Sequence, residues 1–547
     1  MRKLYQSSAL CLLASVATTS VAQEKTYPFD VPRLHEEAQS AGIEHTYSGP
    51  WEYFVGGGAA SFDCNNDRMP DLFLAGGQGK SRLYVNRSEQ SGKLAFEESQ
   101  SGIKESQLRK VTGAYPINLD NDQHTDLVVL RVGENLLLKG KGNCKFEVAN
   151  RSFGFDGGRD WTTGFSAIWE DQALYPTLAI GNYVDRTAPG SPWGTCSDNQ
   201  LARPEPGKDL SYAQMTALTP GFCSLSVAFT DWNNSGQPAL RITNDRQYHR
   251  GGYEQLWALD PKRPPKQYLP SQGWKKLVIW GMGIAQADLN NDGRPEYALT
   301  SMGDTKLQVL DEENEDDFPV YKDMAFDRNA TAHRPYQGGD NKPSTGWHAQ
   351  FADLNNDGRQ DLFIAKGNVE AMRDFASFDP DNLLLANNKG SFTEMGGPSG
   401  VGLNTKGRGA VIEDFNADGM LDLLVMNRGQ PASLFRNLGV KTDWGHKPMG
   451  NWTKIRLKNG TSNPDAIGAK ILIKTGNLSQ TRTVQIGGGH ASGQIGFTHF
   501  GVGVAERVKV RIKWPDGDWS HEYRIFANNH VVIERGSETP AYWYLVR

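Results

Sequence analysis

Cationic excess, long apolar runs and thiol clusters are all missing from this sequence. Its 547 residues hold 58 Lys and Arg against 63 Asp and Glu, a formal charge of −5. Nothing in that balance favours a nucleic-acid backbone or an anionic membrane as partner. Beyond the N-terminus no stretch reaches the ~18 apolar residues that a transmembrane helix needs, so an integral membrane protein is not expected. No Cys/His cluster has zinc spacing. There is no Ser-His-Asp order with an elbow motif, no P-loop and no dinucleotide fingerprint. Cysteine is scarce, with five in all. Hydrophobic content is somewhat low at 38%, yet ample for a core at this length, which excludes wholesale disorder. What is plentiful is glycine, 60 residues, together with 10% aromatics. That combination favours strands and turns, and the length suits three or four domains.

The front of the chain reads as an address. Arg2 and Lys3 are basic, Ala9 to Ala17 is apolar, and Ser20-Val21-Ala22 offers small residues before Gln23. This predicts a signal peptide over 1–22, too short for a membrane span, and a secreted or periplasmic mature protein. Its removal would take the charge to −7 and discard Cys11. Cys64, Cys144, Cys196 and Cys223 remain, and an exported chain permits disulfides. Cys196 and Cys223 flank a long irregular segment and are the preferred pair. The pairing of Cys64 with Cys144 is left open.

A repeat dominates the rest. Six segments share one acidic pattern, starting at Asp63, Asn118, Asp231, Asp288, Asp353 and Asp414, and each is followed by an apolar run. The starts lie 55, 113, 57, 65 and 61 residues apart. The doubled interval predicts a hidden copy. Thr163 to Ile168 matches Thr112 to Ile117 in frame, and places Trp169 at the first loop position. Seven units of this length imply an array or a propeller. Each unit reads as about four strands, but the last lacks a fourth and the N-terminal segment has one to spare, from Phe29 through Ile43. An all-β, seven-bladed propeller closed by that strand pairs both loose edges.

Within each loop, oxygen-bearing side chains fall at positions 1, 3, 5 and 9. The full sets are Asp63, Asn65, Asp67 and Asp71; Asn118, Asp120, Asp122 and Asp126; Asp288, Asn290, Asp292 and Glu296; Asp353, Asn355, Asp357 and Asp361; and Asp414, Asn416, Asp418 and Asp422. A hard cation such as Ca²⁺ takes six to eight oxygens in a flexible loop, and Gly358 relieves the tight turn. Asx-turn chemistry alone accounts for one such loop. Five copies, each with crowded carboxylates that would repel without a cation, favour about five structural Ca²⁺ sites. The loop with Asp231, Asn233 and Ser235 is weaker, because Ala239 replaces its last carboxylate. The hidden loop keeps only Asp171 and is expected to hold no metal.

These loops resemble the FG-GAP/VCBS repeats of integrin α-subunit propellers. The chain as a whole is similar to the cartilage acidic protein family, whose members end in an ASPIC/UnbV domain. Its motifs are Ile467-Gly-Ala469, Gly487-Gly-Gly-His490, His499-Phe-Gly-Val-Gly503 and Lys513-Trp-Pro-Asp-Gly517. The resemblance implies a secreted Ca²⁺-binding propeller with a small β-rich C-terminal domain. The expected organisation is therefore a signal peptide (1–22), a closing-strand segment (23–50), the propeller (51–445) and the C-terminal domain (446–547).

If the acidic loops share one face, first-strand starts and second-strand ends share the other. Those positions include Met282, Trp347, His348, Arg408, Arg131, Asn182, Asp185, Asn244, Asp245, Arg246, Asp304, Lys366, Asn368, Asn427 and Arg428. They predict a polar ring around a central channel, suited to a small molecule, sugar or peptide. His348 stands out because Gly58, Gly113, Gly283 and Gly409 hold its place in four other frames. With Arg408 it is the candidate catalytic group. Paired carboxylates for glycosidic chemistry among Asp185, Asp245 and Asp304 are a further possibility, while His490 and His499 are read as local hydrogen-bonding groups. The favoured function is a secreted calcium-binding module for a glycan, peptide or protein. The alternative is a calcium-stabilised hydrolase, lyase or cyclase working in the channel through His348. The former leads because no catalytic set is recognisable.

Overall fold

The computed structural model describes residues 27, 29–171, 173–188, 195–205, 207, 209–245, 252–311, 313, 318–336, 340–370, 372–460, 462–476 and 478–543. The expected signal peptide and Arg246 lie outside them. Among the described residues no helix is long and apolar enough to cross a membrane.

Seven antiparallel sheets follow one another along the described chain, each a meander in sequence order. Their first strands are Ala59–Phe62, Val111–Ile117, Thr162–Ile168, Ser224–Thr230, Gly281–Ala287, Gly346–Ala352 and Gly407–Glu413. Each of these touches the next, and the last touches the first, so the sheets close into a propeller-like ring. First strands such as Val111–Ile117 are buried along their whole length. That is why their sequence is a continuous run of apolar and small residues instead of an alternation. In the seventh sheet Ser433–Asn437 pairs with Leu34–Glu36 from the N-terminal side, which supplies the fourth strand. Two disulfides tie neighbouring sheets. Cys196 bonds Cys223, and Cys64 bonds Cys144 across 80 residues of sequence.

The C-terminal region forms two further four-stranded sheets. One contains Asn451–Lys458 lying parallel to Asn529–Glu534, and the other contains Lys470–Thr475 and Arg507–Lys513. A separate core fills the space between them, with Ile455, Ile471, Phe500, Val510 and Ile533 at its centre.

The expected open channel is not there. A segment of the C-terminal region, residues 486–495, runs through the middle of the ring and touches its first strands in turn. Gly493–Gln494 adds a fifth strand, parallel, to the first sheet. Isolated bridges join Ser492 to Ala114, Ile486 to Ala167, Gly487 to Ala228 and Gly489 to Ile284. In the sixth sheet His348 Nδ1 accepts from the His490 N–H at 3.0 Å. In the seventh, Gln494 Oε1 accepts from the Ile412 N–H. The C-terminal sheets thus have a core of their own, while Ile467 and Ile486 pack into a core of the ring.

This threading explains the recurrent glycine of the first strands. A Cβ on Gly58 would stand 1.8 Å from the Ala491 carbonyl oxygen, and one on Gly113 2.2 Å from the same atom. Neither neighbour is a flexible side-chain end, so the segment itself would have to move. Gly58→Ala is expected to destabilise the protein by more than about 3 kcal/mol, as overpacking against backbone does. Thermal unfolding checks this, and a variant with the wild-type melting temperature would contradict the threaded arrangement.

Candidate functional site

The acidic loops join first to second strands and share a detailed backbone design. The residue at position 4 adopts a left-handed conformation: Asn66, Asn121, Asn234, Asn291, Asn356 and Ala417 all have φ between 54° and 62°. Asparagine tolerates that region better than most residues. Position 6 is left-handed too, at Gly236, Gly293, Gly358 and Gly419, and at Arg68. The position-6 N–H then donates to the position-1 carboxylate, as from Gly358 to Asp353 Oδ2 at 2.7 Å and from Arg68 to Asp63 Oδ2 at 2.8 Å. Position 3 donates its amide to position 5, as from Asn355 to Asp357 and from Asn416 to Asp418. Asn65 and Asn290 repeat this with Asp67 and Asp292.

The ninth position does more than face the loop. Asp71 accepts the Cys64 N–H with one oxygen and the Asn86 N–H of the third strand with the other. Asp126, Asp361 and Asp422 repeat this double bond with Leu119 and Gly140, Leu354 and Ala386, and Phe415 and Asn437. Glu296 accepts the Leu289 N–H. These carboxylates pin loop, second strand and third strand together, a role the spacing alone did not show.

The donor set is oxygen throughout, which suits Ca²⁺ and not a soft metal. Buried oxygens aimed into the loops lack hydrogen-bond partners at the same place in four of them: Asp63 Oδ1, Asn118 Oδ1, Asp231 Oδ1 and Asp288 Oδ1. An orphaned buried oxygen is costly unless something not shown satisfies it. Burial, reinforced by neighbouring carboxylates, raises the pKa of Glu296 to about 7 and that of Asp126 to about 8. Asp361 and Asp422 are pushed up for the same reasons. The residues present thus fit a hard cation. Among the described residues the group of three potential ligands within 4.8 Å is Cys64, Asp71 and Cys144, and its two sulfurs are consumed in a disulfide.

The C-terminal domain sits on this acidic face and brings cations to it. Lys454 Nζ lies 2.8 Å from Glu413 and 3.5 Å from Asp414. Lys470 Nζ meets Asn234 Oδ1 at 2.7 Å and Asp231 at 3.7 Å. A cavity of about 890 Å³ lies between ring and domain, with Asp231, Asp288 and Asp353 on one side and Lys470, Arg482 and His499 on the other. Sequence reasoning missed these cations, since nothing in their local context marks them. The weak fourth loop, with Asn233 and Ser235, therefore has Lys470 over its Asp231.

On the opposite face the predicted polar ring is a set of buried structural contacts. His348 and Arg408 are buried, at 4% and 0% exposure, with His348 among the residues lining the cavity just described. Burial lowers the His348 pKa to about 4, so it is neutral and accepts the His490 N–H. Gly489 leaves the room it needs, because a Cβ there would lie 2.4 Å from the His348 ring. The Arg408 guanidinium stacks over Trp347 at 4.1 Å and donates to the carbonyls of Phe54 and Gly407. Trp347 Nε1 donates to the Gly367 carbonyl. Lys366 is buried beside Asp379, and Asn368 and Asn427 donate to the Ala376 and Pro431 carbonyls. Arg428 pairs with Glu370 and donates to the Tyr53 carbonyl, while buried Asp245 accepts from Tyr183 Oη. Asp304 stays half exposed and pairs with Lys306. The threaded segment thus occupies the axis of the ring, and most of these polar groups are bonded to backbone or to one another.

His348→Ala should therefore cost stability, by roughly 2–4 kcal/mol, since it opens a cavity and strands a buried N–H. Denaturant unfolding checks this. Unchanged stability would restore His348 as a free functional group.

The ASPIC and UnbV family matches residues 459–540, and the FG-GAP-like repeat matches residues 353–425. Cartilage acidic protein 1 of Mus musculus is 28% identical over 250 residues, which is 43% of this chain and 34% of that protein. The Homo sapiens protein of that name matches at 28% over 43% of this chain and 33% of its own length. The match spans about a third of these relatives. Among solved structures, BBS1N in complex with ARL6DN covers 74% of this chain and 96% of its own at 9% identity, with a TM-score of 0.39. AofleA from Arthrobotrys oligospora covers 63% and 86% at 9% identity, with a TM-score of 0.35. The chain thus carries an FG-GAP-like repeat and an ASPIC and UnbV domain, and is homologous to cartilage acidic protein 1 over 43% of its length.

Proposed function

We propose that this chain is an extracellular calcium-binding propeller protein that serves as a binding or adhesion module for a glycan, peptide or protein. The observation that carries the calcium reading is the buried first-position oxygen without a hydrogen-bond partner, at Asp63 and Asp288. An extracellular setting is supported by the homology to cartilage acidic protein 1 and by two disulfides, which persist in oxidising compartments. Catalysis in the channel finds no support, because its candidate groups are buried and bonded to backbone. Partner recognition then falls to the outer surfaces of the ring and the C-terminal domain. Saturable binding to a glycan or peptide array, without turnover of the bound compound, is the expected result. Turnover of a bound compound would contradict this assignment.

Calcium acts in this account by replacing the protons that crowded carboxylates otherwise hold. Buried Glu296 has a folded pKa of about 7, above the ordinary carboxylate value of about 4, and Asp361 is pushed up in the same way. Without metal, the folded state binds more protons than the unfolded chain between those limits. Its stability therefore falls as pH rises through that window. The gain in melting temperature on adding calcium to chelated protein should accordingly be larger at pH 7.5 than at pH 5. A melting temperature that ignores both chelation and calcium at pH 7.5 would refute the metal role.

A further inference from the structure

The loops differ in what the third strand of each sheet offers them. The relevant position follows the third-strand residue that pairs with the first residue past the ninth loop position. The pairs Leu72 with Tyr84, Tyr297 with Gln308, and Leu362 with Leu384 place Val85, Val309 and Leu385 there in the first, fifth and sixth sheets. None of these can supply charge; the fifth and sixth loops have Arg294 and Arg359 at their own seventh position, each on the position-5 carboxylate, Asp292 or Asp357, with a neutral Asn at position 3. The pair Leu127 with Leu138 places Lys139 there in the second sheet, and Leu178 with Ala202 places Arg203 there in the third.

The third sheet shows what a cation at this position does. Its loop has no carboxylate or amide at positions 1, 5 and 9, which are Trp169, Ala173 and Thr177. Arg203 instead grips buried Glu170 through two hydrogen bonds, at 2.7 and 2.9 Å, and Thr177 Oγ1 donates to the same carboxylate. A guanidinium springing from the third strand closes the loop where metal ligands are gone. The seventh sheet has Arg436 at this register, but its guanidinium turns to Glu37, leaving its loop to other groups.

Lys139 stands between these cases. Its loop keeps the full oxygen set, yet its ammonium bonds both Asp120 and Asp122, the latter at 3.0 Å. These are positions 3 and 5, two of the proposed metal ligands. A monovalent ammonium with three donors satisfies them without dehydrating a divalent ion. We propose that Lys139 is the resident cation of the second loop, so that this loop binds no calcium while the first, fifth and sixth do. The proposal rests on the calcium reading above and revises the expectation that the loop at Asn118 is a metal site. Asn118 Oδ1 remains unpartnered, so removing the ammonium uncovers a complete set of oxygens.

The test counts calcium ions per full-length chain, by equilibrium dialysis and elemental analysis after chelation, with chelated thermal unfolding alongside. Lys139→Met should bind one calcium more than the wild type. It should also melt lower in chelator and recover on adding calcium. In the wild-type background, Asp122→Ala should leave the count unchanged, whereas Asp357→Ala in the sixth loop should lower it by one. The proposal is overturned, with the calcium reading intact, if Asp122→Ala lowers the count as Asp357→Ala does, or if Lys139→Met gains no ion. Should Lys139→Met fail to fold, the two alanine variants decide. If neither the wild type nor any variant binds calcium, the proposal and the calcium reading fall together.

Discussion

Backbone meeting backbone at the axis of the ring is the contact on which the rest of this structure depends. Residues 486–495 come within hydrogen-bonding distance of the first strands because those strands carry no side chain where they would collide. Gly58 and Gly113 clear the path for the Ala491 carbonyl. The segment in turn uses its own glycines to leave room for His348. Buried backbone N–H and C=O groups on both partners must find bonds, and they find them in each other: Gly488 donates to the Val227 carbonyl, Ala114 to that of Ala491, and Ile495 to that of Ser61. The axis of the ring is occupied by this segment as a result, beside the cavity of about 890 Å³ that the segment helps to line. His348, which looked free in the sequence, is bonded there to the threaded segment.

Electrostatics determines which face the C-terminal domain covers. The acidic loops gather at one end of the ring and would repel each other there. The domain answers with Lys454 on Glu413 and Asp414, Lys470 on Asp231, and Arg482, whose neighbours include Asp353 and Asp288. Burial makes each such pair sensitive to the loss of one partner. Lysine ammonium groups, arginine forks and the proposed metal ions are then alternative solutions to one problem, the compensation of carboxylates in a dry loop. The second and third sheets show two of the three.

How much was legible in the sequence follows from which interactions are local. The loops were readable because ligand, turn residue and following strand lie within nine positions, and even the degraded copy at Trp169 kept its frame. The meander of four strands per unit was readable for the same reason. His348 was noticed as a bulky residue in a glycine register, but what it faces is a segment some 140 positions away, and no local pattern announces that. The glycine-rich run at 487–489 was visible as a motif, with nothing to say that it would thread a ring. Lys139 and Arg203 acquire meaning only once strand register is known, since nothing in their immediate sequence relates them to the loops they close.

The central claim is that residues 486–495 form part of the ring's interior. Native-state hydrogen exchange tests it most directly, through the amides of Gly488, Gly489, His490 and Ile495. The account predicts that these exchange as slowly as the buried first strand Val111–Ile117, through global unfolding alone. Exchange on the timescale of exposed turns such as the one at Gly445, with the first strand still protected, would contradict it.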